Sequence, residues 1–212
     1  MRTRLPGAGT WTFFAALLIS GRADAHLVTT GLGPAYDGIG HLLLTPEDLV
    51  PILALALFAG LRGASAGRLA LFVLPLAWLA GGLAGLNLGR ATAAPVPALS
   101  FILLGLLVAA DVKFPDGAVA GLAGAVGLVH GFLNGPALAG AGPGALGLLG
   151  IAAVAFAVVA LAAALVVSLK APAARIAVRV AGSWIAAIGL LLLGWTFRTR
   201  GAIPTVPGML VP

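Results

Sequence analysis

The chain has 212 residues, 61% of them hydrophobic and only 8% charged, whereas a soluble domain carries roughly a quarter charged residues. That is too little charge to coat a water-facing surface, and the twelve basic residues behind the net charge of +6 stand singly at the ends of apolar runs. They form no stripe for phosphates to follow, which argues against nucleic acid and fits loop charges that orient a membrane protein. There is no Cys, and Met occurs only at Met1 and Met209. Thiolate sites, disulfides and a thioether copper path are therefore set aside.

Residues 1–25 read as a cleavable signal peptide. Arg2 and Arg4 form the basic start, Trp11 to Ile19 a short apolar core, and Ala23-Asp24-Ala25 an A-x-A cleavage site. An uncleaved first helix is the alternative, although the core is short for a bilayer. Cleavage after Ala25 would expose His26, whose free α-amine and imidazole together could chelate a borderline divalent metal. Any residue can follow a cleavage site, so both readings of His26 stay open.

Six apolar runs follow, at about 46–61, 69–88, 97–110, 117–133, 145–168 and 180–197. They predict an all-α integral membrane protein, with residues 26–212 forming one domain of six transmembrane helices. Pro75 is expected to kink the second run. Trp184 and Trp195 are expected to anchor the last at the two interfaces. If the mature N-terminus is exported, the cytoplasmic loops carry Arg62, Arg68, Lys113, Lys170, Arg175 and Arg179, against Arg90, Arg198 and Arg200 outside. This bias predicts a bacterial inner-membrane protein with both mature termini in the periplasm. Gly81, Gly85 and Gly89, and likewise Gly127, Gly131 and Gly135, recur at four-residue spacing. Such ridges allow close helix contacts in lipid. The stretch from Gly135 to Gly144 reads as an uncharged turn.

Side chains able to carry chemistry collect in two places. Asp37, His41, Glu47 and Asp48 lie just before and at the start of the first span. Thr45-Pro46-Glu47-Asp48 is a good helix start, with Thr45 as cap, Pro46 at the first position and two acids at the positive end of the dipole. Capping alone competes with a combined capping and ion-binding role, and it leaves His41 unexplained. The second place is mid-span: His130 and Asn134 are one turn apart and share a face. An imidazole at that depth faces the bundle interior, either in a structural hydrogen bond or in a site. Asp111 and Asp116 lie apart, beside Lys113. Ser100, Ser168 and Ser183 sit near span ends with no evident His partner, so an intramembrane enzyme is not expected.

These features together resemble the HupE/UreJ family, small bacterial membrane proteins associated with hydrogenase and urease metallocentres and regarded as nickel or cobalt permeases. The family has a His followed six and seven positions on by an Asp-His pair. Here His41-Leu-Leu-Leu-Thr-Pro-Glu47-Asp48 keeps the spacing, with Glu47 in place of Asp and Asp48 in place of the second His. The family's His-Gly pair in a Gly-rich fourth span is matched by Gly127-Leu-Val-His130-Gly131-Phe. The resemblance implies a secondary permease for a divalent transition-metal ion, nickel or cobalt, with no cofactor. His41, Glu47 and Asp48 would gather the ion at a periplasmic mouth, with His26 helping, and His130 and Asn134 would form a relay inside. The partners are then the ion and the lipid bilayer, with companion proteins and self-association left open. Carboxylate in place of imidazole makes the mouth harder, closer to what manganese or magnesium tolerates. A membrane accessory that binds metal without moving it is the competing reading.

Overall fold

The computed structural model describes residues 30–89 and 95–201. Among them are seven helices and no strand: α1 (Pro34–Leu44), α2 (Pro46–Arg62), α3 (Ala64–Leu88), α4 (Val96–Ala110), α5 (Asp116–Ala141), α6 (Gly144–Ser168) and α7 (Pro172–Gly201). The signal peptide and His26 lie outside the described residues.

Each of the six apolar runs coincides with one of α2 to α7, and α1 is an additional short helix. Among the described residues, not every one of these helices is long enough to cross a membrane alone. Four helices, α3, α5, α6 and α7, are long and apolar enough to cross a membrane alone. α1 and α2 meet at a bend of 76° and together make a fifth candidate, as a broken span or a re-entrant segment. α4 has 15 residues, about 22 Å of helix against a hydrocarbon core of about 30 Å. The chain is thus a multi-pass membrane protein with four to five candidate spans among the described residues.

Local chemistry explains where the helices differ from the expected bounds. Gly63, at φ 120°, makes the tight reversal between α2 and α3 in a conformation that a side chain resists, so α3 starts earlier than residue 69. α5 does not stop near residue 133. It runs through Pro136 to Ala141, and the expected Gly135–Gly144 turn shrinks to the residues around Gly142. Thr45 occupies the cap of α2, but its hydroxyl makes no capping bond. Its carbonyl instead accepts from the N–H groups of Asp48 and Leu49, at 3.0 Å each.

Small residues set the packing. The two glycine ridges face each other: Gly81 and Gly85 of α3 rest on the carbonyls of Leu128 and Phe132, and Gly131 of α5 rests on the carbonyl of Trp78. A Cβ at any of these three would collide with backbone. Gly105 of α4 meets Gly182 and Ala186 of α7, and Gly38 of α1 meets Gly147 of α6. The buried centre holds Leu55, Phe58, Leu74, Trp78, Leu104 and Ile151, while Leu76, Leu161, Leu191, Trp184 and Trp195 face outward. Outward apolar side chains suit lipid rather than water.

The two ends of α2 are chemically distinct. At its C-terminus, Arg62 pairs with Asp111, the αL residue that ends α4. The Arg62 guanidinium also sits 5.6 Å from the Phe58 ring centroid. Phe58 in turn meets Phe114 edge-on at 5.5 Å, and Arg175 donates to the Leu61 carbonyl at 3.1 Å. Asp111, expected beside Lys113, thus serves to tie α4 to α2.

Candidate functional site

At the other end of α2, four helices bring polar side chains together. His41 comes from the last turn of α1 and Asp48 from the first turn of α2. Ser100 comes from α4, and His130 and Asn134 come from α5. His130 is 1% exposed, and Asp48, Asn134 and His41 are buried. A buried polar group that lacks a partner is costly, and these groups satisfy one another.

The atoms form one connected network. His130 Nδ1 is 2.9 Å from Asp48 Oδ1. Asn134 Nδ2 donates to Asp48 Oδ2 at 2.9 Å and to the His130 carbonyl at 2.9 Å. His41 Nε2 is 2.6 Å from Asn134 Oδ1, and Ser100 Oγ is 2.9 Å from His130 Nε2. The acceptors fix the donors. Asn134 turns its amide nitrogen to a carboxylate and a carbonyl, so its oxygen faces His41, and His41 Nε2 must carry a proton. His130 Nδ1 faces a carboxylate and carries a proton too. In the neutral ring Nε2 then holds the lone pair, and Ser100 donates to it.

Trp78 of α3 closes one face of the His130 ring, with centroids 5.6 Å apart and planes 30° apart. The Trp78 side chain is fully buried, and its indole N–H has no hydrogen-bond partner among the described residues.

Several expectations meet this geometry directly. His130 does face the interior and does meet polar atoms of other helices. His41 does reach Asp48's neighbourhood, because the bend between α1 and α2 folds it back. Glu47 does not join them: it is exposed, one residue round the helix from Asp48 and turned away. Asp37 is used locally, accepting from the Thr30 N–H at 2.6 Å and the Thr30 hydroxyl at 2.7 Å. Ser100 does have a His partner, contrary to expectation. The signal for it was weak, a lone hydroxyl in an otherwise apolar run, and sequence could not show which face of α5 it meets. Among the described residues, no three His, Cys, Asp or Glu side chains gather as a ready metal-holding group. Their polar atoms are spent on one another and on Asn134.

The model of the family described as HupE / UreJ protein matches residues 14–192. The chain belongs to the HupE/UreJ family. No curated protein and no solved structure matches it. Both stretches that carry the HupE/UreJ resemblance, His41 to Asp48 and Gly127 to Phe132, lie within the matched residues. In the fold, His41 and Asp48 of the first and His130 of the second are joined through Asn134.

Proposed function

We propose that this HupE/UreJ protein is a secondary permease for a divalent transition-metal ion, with nickel or cobalt as cargo by family. The observation that carries the reading is the buried His130–Asp48 pair. A carboxylate that accepts from one imidazole nitrogen orients the ring and raises the basicity of the other nitrogen, the usual arrangement around a metal-ligating His. An ionisable group at membrane depth marks a transport path more often than it serves packing.

In this reading Glu47 and, after cleavage at Ala25, His26 collect the ion at the periplasmic mouth. His41 and Asn134 line the way to His130. Binding is weak because the network must open to admit the ion, and a transport site must release what it binds. We place the protein in the bacterial inner membrane with periplasmic mature termini, six helices making the bundle after the signal peptide is removed.

A metal-binding accessory that moves no ion is the second reading, favoured by the self-satisfied network. The two are separated by radiometal uptake into proteoliposomes across nickel, cobalt, zinc, manganese and copper. Uptake above empty vesicles supports the permease. Binding in detergent without uptake supports the accessory.

We do not read the line Ser100–His130–Asp48 as a hydrolase, although it has the connectivity of a Ser-His-Asp triad. Ser100 lies one turn inside α4, where main-chain N–H groups serve the helix. Labelling of Ser100 by a fluorophosphonate would oppose this view.

A further inference from the structure

We infer that Ser100 is a specificity-determining residue of this site, its hydroxyl oxygen forming with His130 Nε2 one edge of the ion's ligand shell. The inference rests on the permease reading and adds a residue from α4, which neither family stretch contains.

The proton assignments leave one lone-pair nitrogen on each neutral ring, His41 Nδ1 outside the network and His130 Nε2 inside it. His41 Nε2 and His130 Nδ1 are donors inside the network, so neither can bind a cation there. His130 Nε2 holds the one imidazole lone pair within the network, and Ser100 Oγ covers it at 2.9 Å. Trp78 covers one face of the ring and Asp48 its far edge. Ser100 is only half-buried, so its side is where an ion can arrive.

The spacing suits a particular geometry. Two ligands about 2.1 Å from an ion and at right angles to each other lie about 3.0 Å apart, whereas tetrahedral ligands at that length lie about 3.4 Å apart. The 2.9 Å separation of Ser100 Oγ and His130 Nε2 matches the right-angled edge. An ion can therefore enter beside the two atoms once the Ser100 hydroxyl turns its hydrogen away from His130 Nε2, the oxygen keeping its proton and binding as a neutral hydroxyl. Waters would complete the shell. The pair offers one borderline nitrogen and one hard, uncharged oxygen, a set that admits nickel and cobalt and lacks the thiolate or thioether that copper(I) prefers.

The test is radiometal uptake into proteoliposomes by wild type, Ser100→Ala, Ser100→Thr and Ser100→Cys, with nickel, cobalt, zinc and manganese. Ser100→Ala is expected to raise the apparent KM for nickel about tenfold while leaving the maximal rate within about twofold. Ser100→Thr keeps the hydroxyl and restores the wild-type KM. Ser100→Cys supplies a softer atom and shifts the zinc-to-manganese preference about tenfold towards zinc. A purely structural hydroxyl would not reorder the metals. If Ser100→Ala fails to fold, the Thr and Cys variants decide on the same readout. Wild-type uptake with KM and metal ranking unchanged by the variants overturns this inference alone. Absence of wild-type uptake overturns the permease reading and this inference with it.

Discussion

His130 Nδ1 and Asp48 Oδ1 lie 2.9 Å apart across 82 positions of sequence, joining the middle of α5 to the first turn of α2. The pair is buried, so each partner depends on the other. Replacing His130 by Ala leaves the Asp48 carboxylate with Asn134 alone, and losing a buried hydrogen bond to a charged group costs about 1.5–3 kcal/mol. Asp48→Asn removes the charge and should cost less, about 1–2 kcal/mol. The double variant should show a coupling of about 1–3 kcal/mol when unfolding is followed in detergent micelles. Strict additivity would mean that the two side chains do not share the bond.

The contact between α3 and α5 makes a second expectation. A Cβ at Gly131 meets the Trp78 carbonyl and, at 2.9 Å, the Gly82 nitrogen. Backbone cannot yield as a flexible side chain can. Gly131→Ala should therefore destabilise by about 1–3 kcal/mol through overpacking, and it should disturb the Trp78 ring against His130. Gly121, on the same helix with nothing within 4 Å of an added Cβ, is the control. Gly121→Ala should be neutral or slightly stabilising, because Ala is the better helix former. Equal thermal stabilities for the two variants would argue against the glycine-mediated contact.

Much of this was legible in the sequence, for identifiable reasons. Apolar runs broken by Gly, Pro and Arg located six helices, since length and hydropathy are one-dimensional signals. The ridge spacing showed that Gly81, Gly85, Gly127 and Gly131 sit at close contacts. It could not show that they contact each other. The cost of an imidazole in lipid placed His130 inward. Helix spacing put Asn134 on its face. The partners from other helices were hidden because nothing local distinguishes them. Ser100 is a lone hydroxyl, Trp78 looks like any core aromatic, and Glu47 and Asp48 are chemically alike in sequence. One residue of helix rotation, about 100°, buries Asp48 and exposes Glu47. The continuation of α5 through Pro136 was missed because Pro signals a break unless neighbouring helices hold the chain.

The topology is open to a direct test. Arg62 ends α2, Lys113 and Lys170 fall between helices, and Arg68, Arg175 and Arg179 lie in the first turns of α3 and α7, at the ends proposed to face the cytoplasm. A reporter fused after Arg200 should be active only where its chemistry works in the periplasm. Cytoplasmic activity of that fusion would invert the assignment, and with it the side from which His41 and Asp48 are reached.

Glu47 and Asp48 can be separated by salt. Both are acids at the positive end of α2, but Asp48 is buried against His130 and Asn134 while Glu47 is exposed. An exposed carboxylate at a mouth acts by long-range attraction, which raises the local concentration of a dication and is screened by salt. Glu47→Gln should therefore raise the apparent KM for nickel about two- to threefold at low ionic strength, where the screening length is about 30 Å, and the difference should fade near 0.15 M, where it is about 8 Å. Its stability should change by less than about 0.5 kcal/mol. Asp48→Asn acts through the orientation of His130 at close range, so its loss of uptake should persist at every salt concentration. Uptake by Glu47→Gln that is abolished regardless of salt, with the protein intact in the membrane, would make Glu47 a direct ligand. The first turn of α2 would then have to rotate during transport, bringing the exposed acid to the position that Asp48 holds beside His130.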